Sequence, residues 1–337
     1  MGGQPRVTVA GHATRGDAFR GMSVWVMPLE PQVLGHLAAL PSAAGRTAVV
    51  TGGNAGLGRE TALMLAYKGA SVVITARNTA KAEEARSYVL ANVPGADVSV
   101  EPLDLASLGS VAACAERLAE REIDILVCNA GVMGLQRSVT EDGFETQFGV
   151  NHLGHFALVG RLYDRLASRP GGRVVAVTSS AAYMGRIDFD DLMGERRYDR
   201  WRAYGQSKLA NLLFAEALAR RFATAGSATA HAAHPGLVFT QLQRRVLEEV
   251  PVPAPERWFL ERLTPTAGQG PQMGALPQVF AALSPDATNG DFWGPRWFAR
   301  GRPVTVRPPR IALDVTVQER LWAVSESLTG VAYGPRA

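Results

Sequence analysis

The sequence has little of what marks several large classes of protein. Only two of its 337 residues are cysteines, Cys114 and Cys128, so no disulfide framework is implied and a reducing, cytoplasmic compartment is expected. No stretch reaches the roughly 18 consecutive apolar residues of a transmembrane helix, and none has the order of a signal peptide. The sequence therefore predicts neither a secreted disulfide scaffold nor a protein that spans a membrane.

Charge of one sign is also scarce. The 35 basic and 31 acidic residues leave a formal net charge of +4, and no basic run is interleaved with aromatic residues, so no nucleic-acid partner is expected. Histidines form two closely spaced pairs, His152 with His155 and His231 with His234. No cysteine or carboxylate accompanies them at ligand spacing, so no metal site is predicted.

What the sequence does have is a regular alternation of short β-branched runs with longer amphipathic stretches, in a chain of 47% hydrophobic residues. This alternation is typical of βαβ units and predicts a single α/β domain with a parallel sheet. The predicted strands lie at 47–51, 71–76, 98–102, 123–128, 173–179, 227–233 and 291–293. The predicted helices lie at 57–68, 79–92, 107–121, 141–168, 204–222 and 316–328.

Two segments stand outside this alternation. Residues 1–45 are an N-terminal extension to a domain at 46–337, and we expect a short amphipathic helix there that packs on the domain. Its apolar residues at helical spacing are Val33, Leu34, Leu37 and Leu40. Weak contact with a membrane surface is the alternative use of this helix. The second segment, 241–270, has prolines at 251, 253 and 255 and is expected to form a cap near the substrate, with a packed surface helix as the alternative.

A glycine-rich turn follows the first predicted strand and leads directly into a predicted helix. Glycines allow a tight turn and a close approach of phosphate oxygens to the backbone. The start of the helix adds unpaired N–H groups and the positive end of its dipole. This context predicts dinucleotide binding. The residues expected to contact the dinucleotide here are Thr51, Gly52, Asn54, Gly56, Leu57 and Gly58.

The end of the second predicted strand indicates which dinucleotide is preferred. An acidic residue there would bind the ribose 2′-hydroxyl of NAD, whereas a basic residue would bind the 2′-phosphate of NADP. The sequence runs Ile74-Thr-Ala-Arg77-Asn78, with no carboxylate, and a guanidinium suits a phosphate. We therefore expect NADP(H) in preference to NAD(H).

Polar or small residues follow the next two predicted strands as well. Asp104 and Leu105 come after the third strand, and Asn129, Ala130 and Gly131 after the fourth. Ligands of open α/β sheets bind at these carboxyl ends. Asp104 can accept a hydrogen bond from the adenine amino group, or it can cap the helix that follows. The small residues let the backbone lie against the adenine ribose.

Tyr204 and Lys208 are four residues apart and therefore lie on one face of the predicted helix. A phenol ordinarily has a pKa of about 10, and a nearby positive charge favours its ionised form. We expect Lys208 to lower the pKa of Tyr204, which would suit proton transfer in carbonyl–alcohol redox chemistry. Taken alone, the same spacing is also typical of a solvated surface pair.

Together and in this order, the motifs resemble the short-chain dehydrogenase/reductase superfamily over about residues 46–240. They are Thr51-Gly52…Gly56-Leu57-Gly58, Asp104-Leu105, Asn129-Ala-Gly131, Asn151, Ser179-Ser180, Tyr204…Lys208 and Pro235-Gly236…Thr240. Within the superfamily the chain resembles the retinol-dehydrogenase-like and WW-domain-oxidoreductase-like branch. That finer resemblance rests on Asn151-His-Leu-Gly-His-Phe156, on the long insertion between Ser180 and Tyr204, and on a tail that contains Leu321-Trp and Ser325-Glu-Ser-Leu-Thr-Gly330.

The resemblance implies a doubly wound, Rossmann-type parallel sheet of about seven strands with helices on both faces. It also implies a catalytic tetrad of Asn151, Ser180, Tyr204 and Lys208. Counting from the fifth strand selects Ser180 rather than Ser179 as the family's serine. Asn151 would hold a water that links the lysine to solvent.

The resemblance further implies contacts with the cofactor. Tyr204 and Lys208 would border the nicotinamide, with Lys208 bound to the ribose hydroxyls. Pro235, Gly236 and Thr240 would form the loop beside it. The fold family commonly forms homodimers or homotetramers, and the apolar stripe from Leu209 to Phe214 permits such an interface.

The expected function is NADP(H)-dependent oxidoreduction, in which hydride moves between nicotinamide and a small hydrophobic carbonyl or alcohol substrate. Tyr204 would donate or accept the proton. Two alternatives remain at this point. The chain could be a non-catalytic NADP(H)-binding sensor or interaction protein on the same fold, or an NADPH-dependent reductase of carbon–carbon double bonds.

Overall fold

A single eight-stranded sheet organises the computed structural model, which describes residues 27–226, 228–239, 243, 246–248, 252–258, 261–262 and 264–334. The strands are β1 Thr47–Thr51, β2 Ser71–Ala76, β3 Val98–Pro102, β4 Ile125–Cys128, β5 Arg173–Val177, β6 Thr229–Ala233, β7 Phe292–Pro295 and β8 Pro303–Thr305. Their order is β3-β2-β1-β4-β5-β6-β7-β8, and β8 alone pairs antiparallel with its neighbour.

Helices cover both faces of this sheet. The longer ones are α1 Pro31–Ala38, α2 Gly56–Tyr67, α3 Thr79–Asn92, α4 Leu108–Leu118, α5 Gly154–Ser168, α6 Arg200–Ala225, α7 Pro271–Leu283 and α8 Val315–Thr329. Short helical segments lie at Thr146–Phe148, Gly149–Leu153, Ser180–Met184, Ala254–Trp258, Thr264–Ala267 and Arg310–Leu313. Each βαβ crossover therefore carries a helix that buries one face of the sheet.

Two hydrophobic cores result, one on each face. Helices α4, α5, α6 and α8 enclose the first, which contains Phe156, and α1, α2, α3 and α7 enclose the second, which contains Leu63. Successive strand residues alternate between them, so that Val49 belongs to the first core and Val50 to the second. This arrangement confirms the expected doubly wound α/β fold in a single domain.

The sheet differs from the expectation at one edge and at several strand ends. β4 begins at Ile125 rather than 123, β6 begins at Thr229 rather than 227, and β7 spans Phe292–Pro295 rather than 291–293. The eighth strand, Pro303–Thr305, was not predicted, because three residues that begin with proline show no alternation of apolar and polar side chains. β5 ends at Val177, two residues before the predicted 179. That earlier end bears on the catalytic serine, as described below.

The helix predicted at 141–168 is wrong in its first part. Gly143 has a φ of +85°, which closes a tight turn that a continuous helix would not contain. Glu145 then caps a new start by accepting hydrogen bonds from the backbone N–H groups of Gln147 and Phe148. A five-residue π turn, Gly149–Leu153, leads from there into α5.

The helix expected near residues 33–40 is present as α1. Val33 and Leu37 are fully buried in the second core, and Leu40 is buried beside them. The Lys68 ammonium donates to the carbonyl oxygens of Leu37 and Leu40 at 3.1 and 2.7 Å, which satisfies the end of the helix. The described part of the N-terminal extension therefore shares a core with the rest of the domain.

The apolar stripe of α6 serves the first core rather than an intersubunit contact. Leu209, Leu212 and Leu213 are fully buried and Phe214 is 3% exposed within this one chain. The stripe is not available as an interface, so the sequence argument for oligomerisation through these residues is wrong. Any contact between subunits would use other surfaces.

The helices of the described residues are too short or too polar to span a membrane. Within the described ranges, no helix combines the length and apolar character that crossing a bilayer requires. Helix α6 has 26 residues, but arginines, lysine and glutamate are distributed along it.

Candidate functional site

The sheet reverses its order between β1 and β4, and the crevice of a doubly wound fold opens at such a point. Thr51 ends β1 and Cys128 ends β4, so the segments that follow both strands meet there. The residue segments predicted to bind cofactor lie along this edge of carboxyl ends. The position of the site is therefore set by topology before any side chain is considered.

The glycine-rich turn has the geometry of a phosphate cradle. Gly52 has a φ of +63°, and a Cβ there would lie 2.9 Å from Ala130. A Cβ on Gly58 would lie 2.4 Å from the carbonyl oxygen of Gly52, so only glycine fits. Helix α2 starts at Gly56 with no side-chain cap and no acidic residue in its first turn. Its first N–H groups are left for an anion, and Asn54 and Leu57 lie half-buried in the same turn.

Thr51 joins this turn to the end of β4. Its hydroxyl oxygen accepts from the backbone N–H groups of Asn129 and Ala130 at 2.9 and 3.0 Å. The Asn129 amide donates in return to the Thr51 carbonyl oxygen at 2.8 Å. Two segments that were predicted separately are thereby held in one rigid unit.

Arg77 follows β2 at the outer side of the crevice. Its side chain is exposed and forms no salt bridge within the described part of the chain. Asn78 caps α3 through a 2.9 Å hydrogen bond from the Lys81 N–H, which fixes the backbone beside the arginine. A guanidinium held at this strand end and not otherwise paired fits a 2′-phosphate.

Asp104 and Leu105 lie after β3, where the adenine was expected. The Asp104 carboxylate accepts from the Ala106 N–H at 3.0 Å, which shapes the turn into α4, whereas Ser107 caps that helix. Leu105 is packed so closely on α5 that a Cβ on Gly154 would lie 2.6 Å from its carbonyl oxygen. The capping alternative for Asp104 is therefore wrong, and its carboxylate is half-buried at the crevice.

The serine beside Tyr204 is Ser179 and not Ser180. The Ser179 hydroxyl lies close enough to the Tyr204 phenol to lower its pKa, and it also accepts from the Ala181 N–H at 3.2 Å. Ser180 makes no side-chain hydrogen bond to a residue that the structure describes. Because β5 ends at Val177, the site is reached one residue earlier than the count from a longer strand suggested. Thr178 is also engaged, since its hydroxyl donates to the Lys208 carbonyl oxygen at 2.6 Å.

Burial dominates the electrostatics of Tyr204 and Lys208. Burial raises the pKa of Tyr204, and only the Ser179 hydrogen bond acts in the opposite direction. Burial also lowers the pKa of Lys208 to about 8, and its ammonium lies 6.0 Å from the Tyr204 ring. The expected lowering of the tyrosine pKa by Lys208 is therefore wrong for the protein alone, because desolvation outweighs a distant and itself disfavoured charge.

Asn151 lies in the π turn, where it faces Lys208 across Gly131. Its side chain is held by the backbone of Val132, whose N–H donates to it at 2.7 Å and whose carbonyl oxygen accepts at 2.9 Å. A Cβ on Gly131 would lie 2.9 Å from the Asn151 amide oxygen and 3.4 Å from the Lys208 ammonium. The structure thus brings three predicted site residues into contact distance.

His155 was not predicted as a site residue, yet it links the cofactor turn to Asn151. Its Nδ1 lies 3.0 Å from the Asn151 carbonyl oxygen and its Nε2 lies 2.8 Å from the Thr51 hydroxyl. Because a carbonyl can only accept, Nδ1 carries the hydrogen and Nε2 accepts from Thr51. Burial lowers the pKa of His155 to about 4, so the ring is neutral. The signal in the sequence was its spacing of four from Asn151.

The remaining predicted loop lies across the crevice. Gly236 has a φ of +72°, and its N–H donates to His234 Nδ1 at 3.2 Å. The Pro235 carbonyl oxygen accepts from the Gln269 amide at 2.8 Å. Thr240 was predicted to belong to this loop and lies outside the described residues.

Apolar side chains pack against Tyr204. Met133, Tyr204 and Val246 form a buried cluster, against which Trp201 packs. The Trp201 and Tyr204 rings are 6.3 Å apart and nearly perpendicular. Val246 belongs to the segment predicted as a cap, so this described part of it contacts the tyrosine.

A phosphate cradle beside a half-buried serine and a buried tyrosine, lysine and asparagine defines a dinucleotide-dependent oxidoreductase on a doubly wound fold. The short chain dehydrogenase family has a sequence model that matches residues 46–251. The chain belongs to this family, in its retinol-dehydrogenase-like branch, and is an oxidoreductase of CH–OH and C=O groups.

Three relatives illustrate the similarity. Retinol dehydrogenase 12 of Mus musculus is 40% identical over 291 residues, which cover 86% of this chain and 88% of the relative. The crystal structure of an uncharacterized protein from Mycobacterium Paratuberculosis is 38% identical, with a TM-score of 0.73, and covers 89% of this chain and 98% of its own. A structure described as an NAD(P) dependent gluconate 5-dehydrogenase from Beutenbergia cavernae with bound NADP is 27% identical, with a TM-score of 0.59 and coverage of 75% and 96%.

Proposed function

We propose that this protein is an NADP(H)-dependent oxidoreductase that interconverts a hydrophobic carbonyl compound and the corresponding alcohol. The carrying observation is the contact of Ser179 with Tyr204 beside Lys208, at the point where the glycine-rich turn meets β4. The supporting features are a cradle for the pyrophosphate and an unpaired arginine at the end of β2. These are the parts that a hydride-transfer site requires around its cofactor.

The chemistry follows from the residues present. A bound nicotinamide supplies or accepts the hydride at the carbonyl carbon. The hydroxyls of Ser179 and Tyr204 donate hydrogen bonds to the carbonyl oxygen, which stabilises the negative charge that develops there. Tyr204 then gives its proton to that oxygen, or removes one in the oxidative direction. The Lys208 ammonium, which donates to the Val177 carbonyl oxygen at 3.1 Å, would favour the resulting tyrosinate where bound cofactor hydroxyls offset the cost of burying its charge.

The preference for NADP(H) is argued from Arg77. Its guanidinium is exposed and lacks an acidic neighbour at the strand end, so an additional phosphate would find a partner and a bare ribose would not. Bound NADP in the Beutenbergia cavernae relative supports the same choice. We expect turnover with NADPH to exceed turnover with NADH at equal concentration.

The substrate class is argued from the surroundings of Tyr204. Met133, Trp201 and Val246 surround it with apolar side chains, which favours an extended hydrophobic molecule over a sugar or an acid. The similarity to retinol dehydrogenase 12 points in the same direction. Retinal and long-chain aldehydes are therefore the first substrates to test.

A matched pair of serine variants tests the assignment. NADPH absorbance is followed with retinal, long-chain aldehydes and simple ketones for the wild type, Tyr204→Phe, Ser179→Ala and Ser180→Ala. Loss of an oxyanion donor should lower kcat roughly a hundredfold to a thousandfold in Ser179→Ala. Tyr204→Phe should lose at least as much, because proton transfer is also removed.

Ser180→Ala is the control, since its hydroxyl has no partner in the described structure and should leave kcat nearly unchanged. Equal losses in the two serine variants would contradict the assignment of Ser179. Tight NADPH binding without turnover of any substrate would instead favour the sensor alternative. Turnover of an enone at its double bond alone would favour the reductase of carbon–carbon bonds.

A further inference from the structure

The turn that joins β7 to β8 has a composition that the proposed chemistry does not use. We call residues 296–302 the hairpin tip, and their sequence is Arg-Trp-Phe-Ala-Arg-Gly-Arg. Trp297 is 69% exposed and Phe298 is 53% exposed. Two adjacent large aromatic side chains in solvent are costly unless something covers them, so the tip is a candidate binding surface.

Trp297 and Phe298 are exposed although hydrogen bonds hold the backbone of the tip in place. The Arg296 N–H donates to the Arg302 carbonyl oxygen at 3.0 Å, which continues the β7–β8 ladder into the tip. The Gly301 N–H donates to the Gln269 amide oxygen at 3.0 Å, which ties the tip to the body of the protein. The tip therefore presents its aromatic rings on a fixed backbone.

The backbone of the tip is strained at one of these rings. Among the described non-glycine residues, Phe298 is the one with a positive φ, at 60°. A bulky side chain rarely adopts this conformation, where glycine would be more stable, and such strain is concentrated at functional sites. The Phe298 ring packs on one side against His234, at a centroid distance of 5.8 Å, and stays exposed on the rest of its surface.

Unpaired positive charge surrounds the two rings. Five exposed arginines lie in or just after the tip, at Arg296, Arg300, Arg302, Arg307 and Arg310. None of them forms a salt bridge to a residue that the structure describes. Glu30 is the acidic side chain that lines the recess shared with Trp297 and Arg300. The tip is therefore a net basic surface with an aromatic centre.

The tip also borders the mouth of the active site. The Leu237 N–H, one residue after the Pro235–Gly236 loop, donates to the Ala299 carbonyl oxygen at 2.8 Å. The Phe298 ring lies 5.4 Å from the ring of Tyr183, whose neighbour Met184 is 87% exposed. Tyr183 and Met184 belong to the short helix that follows Ser179. Apolar exposure thus continues from the tip towards the catalytic serine.

We propose that the hairpin tip docks on an anionic lipid bilayer, with Trp297 and Phe298 at the level of the headgroups and the arginines against lipid phosphates. Aromatic rings flanked by basic residues favour this interface, where one part is apolar and the other is charged. An acidic protein would match the arginines and leave the two exposed rings unexplained. The advantage for catalysis, direct entry of a lipid-dissolved substrate, rests on the proposed function, whereas the docking itself does not.

Co-sedimentation of the full chain with vesicles tests the docking without any turnover. Two kinds of vesicle are used, phosphatidylcholine alone and a two-to-one mixture of phosphatidylcholine and phosphatidylserine. We expect binding to the mixed vesicles that falls as salt is raised, because salt screens exposed charges. Arg296→Gln/Arg300→Gln should weaken this binding roughly 25-fold, by about fivefold for each basic residue. Trp297→Ser should weaken it severalfold at all salt concentrations.

Arg161→Gln/Arg165→Gln is the matched control, because both arginines are exposed on α5 and unpaired in the described structure. It should bind the mixed vesicles as the wild type does.

Wild type that fails to sediment with mixed vesicles would overturn the proposal, as would tip variants that sediment equally well. Sedimentation velocity tests one further possibility, that the tip joins two copies of the chain. If the wild type were an oligomer, the tip variants were monomers and vesicle binding were unchanged, the tip would be a contact between copies and the proposal would be wrong. Turnover of a short-chain aldehyde without vesicles tests the proposed function separately.

Discussion

At the scale of single residues, burial changes what Tyr204 and Lys208 can do. The spacing of four was sufficient to predict that they share a helix face. It could not predict that both would be almost completely enclosed, at 7% and 5% exposure. An enclosed ammonium is costly in the protein alone and becomes favourable only when an anion or hydroxyl groups lie beside it. The site therefore holds its cation at the expense of stability.

That expense can be measured with Lys208→Met. The pKa of Lys208 falls from its ordinary value of 10.5 to about 8, so the folded state carries a penalty wherever the amine is protonated. At about pH 7 the variant should be more stable by up to roughly 3 kcal/mol. The Val177 carbonyl oxygen keeps a partner, because Asn211 also donates to it at 3.1 Å. Urea unfolding measures the difference, and NADPH turnover should be lost.

The pH dependence of this gain has a definite sign. Between about pH 8 and the unfolded value of 10.5, the unfolded state binds more protons, so the wild type gains stability as pH rises. The advantage of Lys208→Met should therefore shrink across that window. Lys81→Met, at an exposed position on α3, is the control, and its free energy of unfolding should stay close to that of the wild type both near neutral pH and within that window. A Lys208→Met protein less stable than the wild type at neutral pH would contradict the argument.

At the scale of elements, local patterns predicted what local physics determines. The strands β1, β2 and β3 and the helix α3 match the expected bounds, because β-branched runs, turn glycines and helix caps act over a few residues. The other elements depend on pairing and packing between residues that are distant in the sequence. β8 exists through its partner β7, and the π turn that orients Asn151 depends on packing around Gly149. Local patterns were therefore sufficient to predict which segments lie together at the carboxyl ends of the strands, whereas the choice between Ser179 and Ser180 depended on where β5 ends.

The N-terminal extension provides a prediction at this scale. Leu37 is fully buried in the core that α2 and α7 also form, so Leu37→Ala should cost about 2 to 5 kcal/mol of unfolding free energy. Leu313→Ala makes the same chemical change where the side chain is 55% exposed, and it should cost less than about 0.5 kcal/mol. Urea unfolding followed by circular dichroism compares them. Equal losses would mean that α1 is not part of the domain core.

At the scale of the whole molecule, four buried histidines determine the response to acid. Burial lowers the pKa of His152 and His231 to about 3 and of His155 and His234 to about 4. Each makes a hydrogen bond within the protein, to Ser325, Thr229, Asn151 and Gly236 respectively. All four are therefore neutral in the folded state over the range in which an unfolded histidine, near 6.5, takes up a proton.

Acid unfolding should show this directly. Between about pH 4.5 and 6 the unfolded chain binds roughly four more protons at histidine, and Glu216, whose pKa is raised to about 7, offsets one of them. Stability should therefore rise with pH by roughly 4 kcal/mol per pH unit in this window. Urea unfolding at a series of pH values measures the slope. His231→Gln removes one of the four histidines, so it should lower the slope by the amount that corresponds to about one proton. A slope of zero or of opposite sign would contradict the prediction.

The same neutral imidazoles limit what an acidic loss of activity can mean. No buried histidine can be the titrating group behind the acidic limb of a pH–rate profile, because the pKa values of all four lie at about 4 or below while the protein is folded. That limb therefore comes from unfolding, from a carboxyl such as Glu216, or from protonation of the Tyr204 phenolate that oxidation requires. Following circular dichroism and turnover in the same acid titration separates unfolding from the other two, because only unfolding removes the helical signal.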